Sequence, residues 1–68
     1  MYTIEQVNEA IQNTNANVVS LRRVFEGMFK KDDIYDYLIH EDGENILIYY
    51  SLTEDEDAPF FMKTIAKE

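Results

Sequence analysis

The sequence predicts an α+β fold, with two N-terminal helices packed on one face of a three-stranded antiparallel β-meander. Three observations lead there. A capping pattern opens the chain ahead of a helical apolar stripe, a second apolar arc of helical spacing follows at 18–29, and Asp42-Gly43 stands between two β-rich runs. Helical patterns in one stretch and strand patterns in the next suit a two-layer domain, with residues 1–68 expected to form one unit around one core.

Thr3 followed three residues later by Gln6 is a capping box, and Tyr2 with Val7 can form a hydrophobic staple around it. A helix should therefore start at Ile4. Ile4, Val7, Ala10 and Ile11 fall on one stripe, while Glu5, Gln6, Asn8, Glu9 and Gln12 face away. Asn13-Thr14-Asn15 ends it, because Asn and Thr favour turns and caps over helix interiors.

The segment 16–31 carries two signals, since Val18, Val19 and Val24 favour a strand whereas the spacing favours a helix. The helical wheel decides for the helix. Val18, Leu21, Val24, Phe25, Met28 and Phe29 share one arc, the polar and charged residues share the other, and only Val19 is misplaced. Lys30 and Lys31 in the last turn suit the helix dipole.

Asp42-Gly43 is a preferred dipeptide of the two-residue type I′ hairpin turn. Centring the turn there pairs Glu41 with Glu44, Ile39 with Ile46, Tyr37 with Ile48 and Tyr35 with Tyr50 on an apolar face. The other face receives His40 with Asn45, Leu38 with Leu47, Asp36 with Tyr49 and Ile34 with Ser51. Val7, Ile11, Leu21, Phe25, Ile46 and Ile48 are then expected to be buried together. After the acidic stretch at 53–57, Pro59 leads into a last element at 60–66, expected to be a third strand, though Pro59 also suits the first turn of a short helix.

Composition excludes more than it identifies. With no Cys and one His, neither a disulfide nor a usual zinc site can brace a chain this small, which leaves packing or oligomerisation to do so. No apolar run is long enough to span a bilayer, and Met1 to Glu5 lacks the basic start and apolar stretch of a signal peptide, so a cytoplasmic protein without a membrane partner is expected. Chemistry is equally sparse. His40 is the sole histidine and flanks a turn, the carboxylates sit in solvated runs, and the calcium-loop and phosphate-loop spacings are missing, so no enzyme, metal or cofactor is expected.

Charge is the distinctive feature. The formal net charge is −8, yet residues 1–31 and 58–68 are each close to neutral, whereas 32–57 hold ten acids and neither Lys nor Arg. Direct nucleic-acid binding is disfavoured by that field, despite Arg22, Arg23 and Lys30 on the second helix. The expectation is a protein-binding module, a nucleic-acid-mimicking inhibitor of a basic nucleic-acid-handling or defence protein. Asp32, Asp33, Asp36, Glu41, Asp42, Glu44, Glu54, Asp55, Glu56 and Asp57 would stand in for phosphates. In size and charge the chain resembles the small acidic antagonists that phages direct against host defence or restriction enzymes, a likeness of composition. The alternative is a structural or regulatory homodimer formed through an apolar strip of Tyr49, Leu47, Leu38 and Ile34, with the acids only conferring solubility.

Overall fold

Thr3 caps a helix over Ile4–Gln12 (α1): its hydroxyl accepts from the Gln6 N–H at 3.2 Å, and the Gln6 side chain accepts from the Thr3 N–H at 2.8 Å. Asn17 caps the second helix, Val18–Lys30 (α2), by accepting from the Ser20 N–H at 2.8 Å. Three strands follow, Asp36–Asp42 (β1), Asn45–Ser51 (β2) and Phe61–Ala66 (β3), in the spatial order β1-β2-β3 with both pairs antiparallel. This α+β architecture, with the helices preceding the sheet, comes from a computed structural model that describes residues 1–55 and 57–68. Among them, no helix is long and apolar enough to cross a membrane.

Burial follows the apolar faces of the elements. Val7 and Ile11 of α1, Leu21, Phe25 and Met28 of α2, and Ile39, Ile46, Ile48 and Tyr50 of the sheet form one buried cluster with Ile34. All six core residues expected from the sequence lie in it. The ends of the two helical stripes do not, since Ile4 and Phe29 are exposed, as is the misplaced Val19. Phe25 sits at the centre, its ring centroid 5.8 Å from that of Tyr37 and 6.1 Å from that of Tyr50.

The hairpin register corrects the expected one. Asp42 pairs with Asn45, Ile39 with Ile48 and Tyr37 with Tyr50, so the turn residues are Gly43 and Glu44 rather than Asp42 and Gly43. Gly43 has φ 61° and Glu44 does not share the positive sign, which is the pattern of a type II′ turn with Gly first, not of type I′. Each partner moves by two positions, an even number. The faces are therefore preserved even though the pairs are not, and Ile46, Ile48 and Tyr50 still point to the helices. Gly43→Val forces a β-branched residue into the left-handed region and is expected to cost at least about 1 kcal/mol. An unshifted urea midpoint would refute that turn geometry.

The start of β1 is the second correction. Ile34 was expected on the outer face and Tyr35 in the core; instead Ile34 is 2% exposed and Tyr35 is 50% exposed. Strand alternation does not reach them, because β1 begins only at Asp36 and residues 33–35 bend between it and α2. The Tyr2 N–H donates to the Asp33 carbonyl at 2.7 Å, laying the N-terminal segment beside this bend, and the Tyr35 N–H donates to the Ser51 carbonyl at 2.8 Å.

Candidate functional site

The described acidic residues of 32–57 fall at two ends of the sheet. β1 runs from Asp36 to Asp42, about 20 Å at about 3.4 Å per residue. Asp32, Asp33, Asp36, Glu54, Asp55 and Asp57 lie at or beyond the first end, where α2 finishes and the connection from β2 to β3 crosses. Glu41, Asp42 and Glu44 lie at the hairpin, the far end. Glu56, expected to belong to the first group, lies outside the described residues.

The first group is built on a helix C-terminus. The Asp33 N–H donates to the Met28 carbonyl at 2.9 Å and the Asp32 N–H to the Phe29 carbonyl at 3.2 Å, the paired bonds of a Schellman cap. Asp32 holds the left-handed position of that cap, with φ 59°, where glycine is the usual residue. Its carboxylate also sits at the negative end of the helix dipole, so two physical effects disfavour an acid there. Asp32→Gly is expected to stabilise the domain by up to about 1 kcal/mol, less than the full strain because glycine also loosens the unfolded chain. A lower denaturation midpoint would contradict the cap.

Asp32 and Glu54 line a common open cleft of about 360 Å³ together with Met1, Ile34, Tyr35, Leu52 and Thr53. The connection beyond it is held by local bonds: the Ser51 hydroxyl donates to the Thr53 carbonyl at 2.9 Å, and the Asp57 N–H donates to the Asp55 carboxylate at 3.1 Å. Asp36 accepts from the Tyr37 N–H at 2.8 Å. Among the described residues, none of these six carboxylates makes an ion pair. The hairpin group differs, because Glu41 pairs with Lys67 at 3.1 Å.

Tyr49 lies on the outer face of the sheet, half-buried, between Leu38 of β1 and Met62 of β3 in the register. β3 extends the sheet beside β2 instead of folding over this face. Leu38 and Met62 consequently stand 61% and 62% exposed. Met62 was missing from the strip read in the sequence, although alternation along 60–66 puts it opposite Tyr49 once β3 is paired. Ile34 leaves the strip, being buried.

Proton chemistry finds little to work with. The Tyr37 hydroxyl donates to the Glu26 carboxylate at 2.6 Å, and that bond, helped by burial, raises its pKa above the ordinary tyrosine value. Burial alone raises that of Tyr50. Both shifts move away from neutrality. Among the described residues, no group of three His, Cys, Asp or Glu is placed to hold a metal ion. Compared with known protein families, with curated proteins and with solved structures, the chain matches none.

Proposed function

We propose that the protein is a non-enzymatic binding module whose acidic end engages a basic surface on another protein. The observation that supports it is the group of six carboxylates around Asp36 and Glu54, gathered at one end of the sheet without a Lys or Arg paired to any of them among the described residues. Asp32 places an acid where backbone strain and the helix dipole both disfavour one, which agrees with a role outside folding. Carboxylates in this arrangement accept Arg and Lys as phosphates do, so a nucleic-acid-handling protein occupied at its phosphate site is the partner class.

The test is kinetic. The partner, captured from the source cell, should associate much more slowly as the Debye length falls from about 10 Å at 0.1 M salt to about 3 Å at 1 M. Replacing Glu54, Asp55, Glu56 and Asp57 with Gln and Asn should lower the on-rate more than it raises the off-rate, and should move folding stability by no more than about 0.5 kcal/mol. A nucleic-acid duplex should compete for the same partner. Equal binding by the neutralised protein, and at high salt, sinks the reading.

A second reading, the homodimer, draws on the uncovered outer face with Leu38 and Met62. Sedimentation at several concentrations tests it. The charge of −8 on each copy opposes it, because self-association brings like fields together.

A further inference from the structure

β3 ends the sheet on one side, and its backbone groups point two ways. The Lys67 N–H donates to the Glu44 carbonyl at 2.9 Å, a phase that turns the N–H and C=O groups of Phe61, Lys63 and Ile65 toward β2 as well. Those of Met62, Thr64 and Ala66 therefore point away from the sheet. Glu68 agrees, since its N–H reaches the other way, to the Ala16 carbonyl in the α1–α2 connection at 3.1 Å. Among the described residues, no backbone hydrogen bond from another element reaches Met62, Thr64 or Ala66. A run of open donors and acceptors is left from Met62 to Ala66, bounded at its far end by Ala16.

The two edges of the sheet are guarded differently. β1 carries Asp36, Glu41 and Asp42, acids that deter another strand, whereas β3 has no acid from Phe61 to Ala66. Its one charge is Lys63, opposite Ile48 on the helix side. An open strand edge is completed by another strand, and a second β3 offers the same groups in reverse order. Antiparallel pairing centred on Thr64 joins Met62 to Ala66 of the second copy and Thr64 to its own counterpart, so every open N–H and C=O meets a partner. Moving the axis to Lys63 sets two ammonium groups directly across from each other and leaves Ala66 opposite Phe60, outside the strand. Moving it to Ile65 puts Met62 against Glu68, whose N–H Ala16 already holds. Only the Thr64 register avoids both, and it places two threonines face to face, a favourable cross-strand pair.

The charge of the chain opposes this contact less than it opposes stacking of the outer faces. Pairing at β3 leaves the two β1 strands outermost, five strand spacings or about 24 Å apart, beyond the Debye length of about 10 Å at 0.1 M salt.

We propose that the protein forms a two-fold dimer through antiparallel pairing of β3 with β3 of a second copy, centred on Thr64, so that one sheet runs through both. The dimer turns its acid-bearing β1 edges outward and gives a basic partner two points of attachment. The pairing stands on the edge geometry and holds whether or not the acidic end binds anything.

Sedimentation of the full chain at rising concentration should show a dimer with a Kd below about 1 mM. Amide hydrogen exchange reads the register. In dilute protein Lys63 and Ile65 should be protected and Met62, Thr64 and Ala66 fast, whereas in concentrated protein all five should be slow. Thr64→Pro removes an N–H that the β2–β3 ladder does not use, so the fold should stay and dimerisation weaken by at least about tenfold. Thr64→Lys and Thr64→Glu each set like charges face to face and should be monomeric alone, while an equal mixture of the two should dimerise. A chain that stays monomeric up to about 1 mM overturns the proposal. So does a dimer whose Met62, Thr64 and Ala66 amides remain fast, or a Thr64→Lys and Thr64→Glu mixture that fails to pair. A dimer that Leu38→Glu abolishes also overturns it, because Leu38 lies on the far strand and its loss would put the contact on the outer face.

Discussion

Phe25→Ala is expected to remove about 3–5 kcal/mol of stability, which for this protein means unfolding. The ring is fully buried and stacks at a tilt against both Tyr37 and Tyr50, so its removal takes away transfer free energy and leaves a cavity between α2 and the sheet. Small cores have little margin. A single core in a chain of this size rarely supplies more than about 3–5 kcal/mol, and no disulfide adds to it. Urea denaturation followed by circular dichroism should show no native baseline for Phe25→Ala, while Phe25→Leu, which keeps most of the volume, should retain one. A loss below about 1 kcal/mol in Phe25→Ala would place the ring outside the core.

What could be read from the sequence divides by whether the signal was local. The capping box of Thr3 and Gln6 is complete within four residues, and α1 begins where it says. The apolar arc over 18–29 outweighed the strand preference of its valines, because burial of a stripe against a sheet exceeds the small propensity differences among residues. Turn chemistry was less decisive. Asp42-Gly43 marks the hairpin, but a dipeptide with one Gly satisfies type I′ when Gly comes second and type II′ when it comes first, and the cross-strand register differs by two between those readings.

The candidate site was legible as composition and hidden as geometry. Ten acids within 32–57 are plain in the sequence, yet the separation of the nine described ones into two groups depends on β1 running the length of the sheet between them. Asp32 looks like any other acid until the Schellman cap puts it at a left-handed position. The outer face was anticipated from Leu47 and Tyr49, and Met62 joined it only because the third strand pairs at the edge of the sheet.

Ile34→Ala is expected to cost about 2–5 kcal/mol, whereas Tyr35→Ala should change stability by no more than about 0.5 kcal/mol. Simple alternation backward from β1 says the reverse, since it puts Tyr35 with Tyr37 and Ile39 on the helix side and Ile34 outside. The bend after the α2 cap inverts the two. Asp32 turns the chain in the left-handed region, the Tyr2 N–H anchors the Asp33 carbonyl, and Ile34 is carried under the N-terminal segment into the core while Tyr35 remains open to solvent. Ile34 also lines the cleft shared by Asp32 and Glu54, so its loss should disturb the acidic end as well as the core. Denaturation of the two variants side by side is the measurement. A larger loss from Tyr35→Ala than from Ile34→Ala would mean that the strand continues unbroken through 34 and 35, and Ile34 would then not line the cleft beside Asp32.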